Sequence, residues 1–214
     1  MQRARKAEDK EGRRRLILGA ARDLWARATF ATFNMADVAE RAGLAKGTLY
    51  IYFATKEALL LGLLHDDLAA WFEAIDARLD QGGTWTPKRV AQLLAETLDE
   101  RPTLTHLLAL MSSILEHNVP EDAVLTFKSF LRDRVAASGA RIEKRLPFLR
   151  EGEGARALVV CHALVTGLQP MASPPPSVAK VLERDDMAVF RVDFVRELTS
   201  AIWALLLGYA EMRS

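Results

Sequence analysis

Two glycines placed four residues apart constrain the fold of this chain more than any other feature of its sequence. The segment AERAGLAKGTLYIYF, Ala39 to Phe53, is rich in helix-forming residues, yet it contains Gly43 and Gly47. A glycine inside a helix costs about 1 kcal/mol relative to alanine, so each one needs a structural reason. Gly43 is expected to end a short helix in the left-handed conformation. The segment is therefore predicted to hold two short helices joined by a tight turn.

Capping residues and apolar spacing set the limits of the neighbouring helices. Asn34 is suited to cap the first short helix, with Asp37 three residues further on, and Thr55 to cap a long helix that runs to about Asp80. Before them, one apolar stripe predicts a longer helix that contains Leu16, Ile17, Ala20, Ala21, Leu24, Trp25 and Ala28.

The helix after Gly43, from about Ala45 to Tyr52, is expected to have two distinct faces. Leu49 and Phe53 are four residues apart and are predicted to point back to the core. Lys46, Gly47 and Tyr50 then share another face. A lysine, a tyrosine hydroxyl and a closely approaching glycine backbone are suited to contact phosphates or base edges of DNA.

The rest of the chain shows helical spacing and no strand pattern of useful length. Helices are predicted over 87–99, 103–117, 121–145, 153–169 and 188–212, with Pro87, Pro102 and Pro120 where first turns would begin. The segment from Pro170 to Pro176 is predicted to be a loop or extended. The predicted fold class is all-α.

Composition narrows the class of protein. Of 214 residues, 50% are hydrophobic and 27% charged, as in a soluble globular protein. The longest apolar stretches, 158–168 and 201–210, are shorter than the roughly 18–20 residues of a membrane span. The N-terminus has no apolar signal core, and the single cysteine, Cys161, leaves no internal disulfide. A cytoplasmic protein without membrane contact is expected.

The small net charge of +1 hides an asymmetry along the chain. Residues 1–56 carry 12 Lys and Arg against 6 Asp and Glu, a net charge of +6, and residues 57–214 carry a net charge of −5. A basic segment that coincides with the predicted helix-turn-helix indicates that this end binds a polyanion.

At these residues the sequence AERAGLAKGTLYIYFATKEALL closely resembles the DNA-binding signature of the TetR family of transcriptional repressors. The resemblance is specific over about residues 14–64. It implies a DNA-binding head with a basic N-terminal arm in 1–56 and a helical body for ligand binding and dimerisation in 57–214. It also implies a homodimer on a palindromic double-stranded operator that a small-molecule effector releases. The matching DNA contacts are Asn34, Met35, Ala45, Lys46, Gly47, Thr48, Tyr50, Tyr52 and Lys56.

Three positions depart from the family pattern. Thr29 stands where glycine is frequent, Phe33-Asn34 replaces a common threonine pair, and Ala45 replaces the common serine. One polar DNA contact is thereby absent, so the operator sequence of a relative cannot be transferred to this chain.

Motifs for catalysis or for a metal or other cofactor are not found. None of the four histidines forms H-E-x-x-H, and Cys161 and His162 are neighbours that point about 100° apart on a helix. An enzyme is therefore disfavoured. A membrane-surface helix and a protein–protein adaptor remain alternatives. The first would need a long basic amphipathic face, and binding to non-specific duplex DNA would count against the second.

A family body senses its effector in a cavity between central helices, so apolar residues with a few polar neighbours are the candidates. Ser112 and Leu115 lie on one such segment, and the candidates for ligand contact are His106, Met111, Phe127 and His162. The identity of the effector, the regulated genes and the choice between repression and activation stay open at this point.

Overall fold

The computed structural model describes residues 2–111 and 119–212, and the structure is 79% helical with no β-strand in this part of the chain. The predicted all-α class is confirmed. The helices of the N-terminal half are α1 (Gln2–Trp25), α2 (Met35–Arg41), α3 (Lys46–Tyr52), α4 (Lys56–Asp80), α5 (Pro87–Asp99) and α6 (Pro102–Leu110). They are followed by α7 (Glu121–Arg145), α8 (Glu153–Ala172), α9 (Pro176–Leu182), a 3₁₀ helix (Asp185–Phe190) and α10 (Phe194–Glu211).

Helices α1, α2 and α3 form a small head, and their buried side chains belong to the same apolar core as those of the following helices. The side-chain oxygen of Asn34 accepts hydrogen bonds from the N–H groups of Ala36 and Asp37, each at 3.0 Å, and so caps α2. Gly43 has φ of 65° and ends the turn after α2 in the left-handed conformation. Leu49 of α3 is fully buried in the core, and α3 packs against α2. The predicted cap, turn and core face are confirmed.

The apolar stripe predicted for α1 is wrong at two positions, the first of which is Ala28, because α1 already ends at Trp25. Leu16 is exposed, whereas Leu18, outside the predicted stripe, is buried. The reason is α4, which crosses α1 where Gly62 leaves room: a Cβ at Gly62 would lie 2.9 Å from the ring of Phe53 and 3.5 Å from Leu18. The α1–α4 contact therefore adds a second buried side to α1, and the basic N-terminal arm is helical from Gln2.

The body is built around α4 and α8. Helix α4 is capped by Thr55, whose hydroxyl accepts from the Ala58 N–H at 3.1 Å, and it packs against α5, α6 and α7. Helix α8 packs against α6, α7 and α10, and α10 also lies along α5. The indole N–H of Trp71 donates to the buried hydroxyl of Thr97 at 3.0 Å, which ties α4 to α5.

Two predicted boundaries in the C-terminal half are wrong. Helix α8 continues through Pro170 to Ala172, because the Ser173 N–H still donates to the carbonyl of Gln169 at 3.0 Å and the chain loses only the proline's own bond. The last helix begins at Phe194 rather than at 188, after the 3₁₀ helix. The end of the predicted helix 103–117, with Ser112 and Leu115, lies outside the described residues.

One helix meets the length and composition of a membrane span. An 18-residue stretch within the 20 residues of α8 has a mean hydropathy of 1.2, which corrects the expectation that every apolar stretch is too short. Helix α8 packs on α6, α7 and α10, and 28% of its apolar stretch is buried inside the subunit.

Candidate nucleic-acid interface and ligand cavity

The outer face of α3 carries the residues predicted to contact DNA. Lys46 and Gly47 are exposed in its first turn, and Tyr50 follows with 44% of its surface exposed. Leu49 and Phe53 are buried on the opposite side. A Cβ built on Gly47 meets no atom within 4 Å, so the backbone here is open to a ligand. The remaining candidates of this helix are exposed Ala45 and half-buried Thr48 and Tyr52.

Fewer side chains at the start of helix α2 are available for DNA contact than the family resemblance implied. The side chain of Met35 is buried in the head, so only its main chain is available to DNA. Asn34 is exposed, but its oxygen caps α2 and its Nδ2 donates to Asp37 at 2.7 Å. Burial and capping therefore restrict what these two side chains can offer to DNA.

Lys56 differs from Lys46 in having a partner within the head. Its ammonium donates to the carbonyl of Phe30 at 2.9 Å and lies 3.9 Å from the centre of the Phe30 ring. These contacts fix the loop between α1 and α2 to the start of α4. Lys56 thus holds the head together, and any phosphate contact would add to that role.

Two ion pairs join the head to α4. Arg14 lies 3.4 Å from the carboxylate of Asp66, and Arg22 donates to Asp67. Burial alone would raise the pKa of Asp66, but the hydrogen bond from His65 and the charge of Arg14 together hold it below its usual value. For Asp67, burial of the carboxylate outweighs the hydrogen bond from Arg22 and raises the pKa above its usual value. Helix α1 is therefore attached to α4 at two points on its length.

A cavity of about 260 Å³ lies between the body helices. Its walls are mainly apolar and include Leu68, Trp71 and Phe72 of α4 and Leu158, Cys161 and Val165 of α8. Such a chamber with few polar groups is typical of a small-molecule site. It borders α4 directly, the helix that starts just after the predicted recognition helix.

The four residues predicted to contact the ligand separate into three groups. Met111 and His162 line this cavity. Phe127 is buried but borders a second cavity, of about 390 Å³, together with Arg14 and residues at the start of α4. His106 is exposed on α6 and lines neither cavity. Its placement as a ligand residue is therefore not supported.

Two cations at the mouth of the 260 Å³ cavity were not predicted from the sequence. Lys128 and Arg132 are exposed residues of α7 that line it, one helical turn apart. Leu131, Arg132 and Val135 follow Lys128 at three, four and seven residues. This helical spacing could have indicated that the four residues share one face of α7. His162 lies opposite on α8, and burial together with the charge of Lys128 lowers its pKa.

The reactivity of the Cys161 thiol reports whether the packing around α8 excludes reagents from solution. The side chain is buried and burial raises its pKa to about 12, so the unreactive thiol dominates at neutral pH. We expect iodoacetamide to label the native protein about a hundredfold more slowly than the urea-unfolded chain. Mass spectrometry of the single cysteine measures both rates. Equal rates would contradict the packing of α8.

No group of three or more His, Cys, Asp or Glu side chains that could hold a metal occurs among the described residues.

Comparisons with known proteins agree with the fold and the helix-turn-helix. Residues 17–63 match the model of the family described as bacterial regulatory proteins, tetR family, and residues 65–212 match the tetracyclin repressor-like C-terminal domain. The HTH-type transcriptional repressor KstR of Mycolicibacterium smegmatis is 39% identical over 82 residues, covering 36% of this chain and 38% of KstR. This match thus spans well under half the length of that repressor.

Two solved structures share the fold over most of their length. One, from Syntrophomonas wolfei, is described as a TetR-family transcriptional regulator and has a TM-score of 0.59 at 14% identity, covering 94% of this chain and 96% of that one. The other is the multidrug binding protein EbrR in complex with imidazole, with a TM-score of 0.56 at 19% identity and coverages of 91% and 89%. At these identities the likeness shows the fold alone.

Proposed function

We propose that this chain, which belongs to the TetR family of bacterial transcriptional regulators, represses transcription by binding a palindromic operator as a homodimer that a small-molecule effector releases. The outer face of α3 carries the proposal. Lys46, Gly47 and Tyr50 are exposed together there, in a head whose residues 1–56 have a net charge of +6. A repressor, KstR, among the relatives favours repression over activation. Such a regulator acts in the cytoplasm.

DNA selection is the direct test of this proposal. Full-length protein is mixed with a pool of random duplexes, and bound DNA is recovered and sequenced over several rounds. An inverted repeat should emerge, with half-sites separated by about one helical turn or a multiple of it. Recovery of no common sequence would contradict an operator-binding function, and recovery of a single half-site would contradict the dimer.

Lys46 should contribute to binding through phosphate contacts. We expect Lys46→Ala to weaken operator and non-operator duplexes alike and to lower the salt dependence of log affinity by about one unit for each subunit. Fluorescence anisotropy over a series of salt concentrations measures this slope. Lys144→Ala is the matched control, since Lys144 is exposed in the last turn of α7 in the body. Equal slopes for the two variants would contradict the placement of Lys46 on DNA.

An apolar surface on α8 and α10 supports the homodimer. Val159 is 47% exposed on α8, and Ala163 and Gly167 follow at steps of four residues. On α10, which packs beside α8, Trp203 and Leu207 are 38% and 41% exposed. Exposed apolar residues on two neighbouring helices, here called the α8–α10 face, are typical of a subunit interface.

The segment that connects α8 to α10, formed by α9 and the 3₁₀ helix, carries further apolar residues. It carries exposed apolar side chains on α9 and on the 3₁₀ helix, including Val181 and Phe190. The guanidinium of Arg191 donates to the carbonyls of Leu182 and Glu183 at 2.6 and 2.8 Å, which fixes its shape. Because its two ends meet α8 and α10, a second copy on the α8–α10 face would also reach it.

Release by an effector would act through α4. Leu68, Trp71 and Phe72 border the cavity, and the same helix carries Asp66 and Asp67, which hold α1. A ligand that prefers another tilt of α4 therefore moves the attached head and changes the separation of the two recognition helices. Such coupling is reciprocal, so operator DNA must weaken effector binding by the same factor. EbrR, which binds drugs and shares the fold, supports a small-molecule effector.

A further inference from the structure

Val159 of α8 belongs to two surfaces of the subunit. Its side chain lines the 260 Å³ cavity together with Leu158 and Val165. Those two neighbours are buried, whereas Val159 is 47% exposed and lies on the α8–α10 face. Ala163 and Gly167, which continue that face along α8, do not line the cavity. The wall of the cavity is therefore, at Val159, also the edge of the proposed dimer interface.

The exposure of the other lining residues shows which end of the cavity is open in a single subunit. Trp71 and Phe72 of α4 and Leu98 of α5 are buried, so these helices form the closed end. Leu131 and Val135 of α7 also line the cavity but are only partly buried. Helices α7 and α8 pack against each other, and both bring apolar cavity residues to the surface. The mouth of the cavity thus lies between α7 and α8.

An open mouth weakens the binding of an apolar ligand, because part of the ligand stays in contact with water. A cover that withdraws about 55 Å² of apolar ligand surface from water raises the affinity about tenfold. The C-terminal helices of the same chain supply no such cover, since among the described residues none from α9, the 3₁₀ helix or α10 lines the cavity. The cover must come from elsewhere.

We propose that a second copy of this chain closes the cavity at Val159, so that the effector is held by surfaces of both subunits and strengthens the homodimer. The proposal rests on the proposed function, because it requires a dimer on the α8–α10 face. In a two-fold interface the same patch of each subunit meets its counterpart. The cover is then apolar as well, because this face carries Trp203 and Leu207, which are 38% and 41% exposed.

Effector binding and dimerisation are then coupled in both directions. A dimer has two such cavities, so an affinity gain of about tenfold at each lowers the dimer dissociation constant about a hundredfold. An effector that strengthens the dimer does not release the operator by separating the subunits. Release occurs in the intact dimer, through a change in the separation of the two recognition helices.

1-Octanol is a suitable probe, because a cavity of about 260 Å³ holds about nine groups of the size of a methylene. Calorimetry compares full-length wild-type protein with Leu207→Glu, which alters the α8–α10 face outside the cavity and is expected to be monomeric. The folded monomer should bind 1-octanol about tenfold more weakly. Leu125→Glu, at an exposed position of α7 outside the cavity, should bind it like the wild-type protein. Equal affinities for monomer and dimer would overturn the proposal.

Sedimentation gives the converse measurement. With saturating 1-octanol, the dimer dissociation constant of the wild-type protein should fall about a hundredfold. An unchanged or raised constant would overturn the proposal, and so would a dimer that does not bind 1-octanol. Both results would leave the homodimer and operator binding in place. A protein that is monomeric without the probe would instead contradict the dimer of the proposed function, and this inference with it.

Thiol labelling locates the contact at the mouth. In the Leu207→Glu background, Val159→Cys and Ala163→Cys each add one exposed thiol, whereas Cys161 is buried and reacts slowly. At about ten times its dissociation constant, 1-octanol should slow iodoacetamide labelling at position 159 by up to about tenfold, because it occupies most of the cavities. Labelling at position 163 should not change. Equal rates at position 159 with and without 1-octanol would overturn the assignment of Val159 to the mouth.

Discussion

Replacing Gly154 with alanine should destabilise the body by about 3 kcal/mol, at the upper end of what an inserted methyl group costs in a packed core. A Cβ at Gly154 would lie 2.2 Å from the carbonyl oxygen of Gly139 and 2.8 Å from its carbon. In the other direction, a Cβ at Gly139 would lie 2.4 Å from the backbone nitrogen of Ala155. Backbone atoms cannot rotate away as side chains do, so α7 and α8 would have to separate.

A hydrogen bond at the crossing of α7 and α8 adds to the expected destabilisation by Gly154→Ala. Gly154 is in the first turn of α8, and its N–H donates to the carboxylate of Glu143 on α7 at 2.9 Å. Separation of the helices would break this hydrogen bond in a partly buried place. It would also widen the cavity, because α7 and α8 supply much of its wall, including Leu131 and Leu158.

Urea unfolding followed by circular dichroism measures the change in the free energy of unfolding. All variants are compared at one protein concentration, because the proposed dimerisation would contribute to stability. Gly19→Ala is the matched control. Gly19 is also inside a helix, but a Cβ there meets no atom within 4 Å. Alanine at Gly19 should therefore stabilise the protein by up to about 1 kcal/mol. Equal effects at the two positions would contradict the close crossing of α7 and α8.

Leu207→Glu should convert the proposed homodimer into monomers. Leu207 is 41% exposed within one chain, so a carboxylate there reaches solvent and leaves the fold of the subunit intact, but in the proposed homodimer it would be buried without a partner. Sedimentation of the wild-type protein should give twice the chain mass of 23.8 kDa, and the variant should give 23.8 kDa. Operator affinity should fall about 10²-fold or more, because the second half-site is no longer bound intramolecularly.

Leu125→Glu is the control for this experiment. Leu125 is a leucine of α7 that is 66% exposed and lies away from the α8–α10 face, so its replacement should leave both mass and affinity unchanged. A wild-type protein that sediments as a monomer at micromolar concentration would contradict the proposed dimer. A Leu207→Glu protein that stays dimeric would place the interface elsewhere.

Most of the head was determined by the sequence itself. The cap at Asn34, the left-handed turn at Gly43 and the opposed faces of Leu49 and Lys46 were all predicted and are all present. Helices α5 and α7 begin and end at the predicted residues. These features depend on hydrogen bonds and side-chain spacing within a few residues, and such short-range interactions can be read from neighbouring letters of the sequence.

The cavity and the helix crossings were decided only by tertiary structure. Nothing local to Phe127 or His106 shows that one borders a different cavity and the other is exposed, because both outcomes depend on where other helices lie. The same holds for Leu18, which α4 buries, and for Gly139 and Gly154, which are fifteen residues apart along the chain and touch across α7 and α8. Burial and close approach depend on the arrangement in space of distant segments, and the periodicity of a single helix carries no information about which neighbour will cover each of its sides.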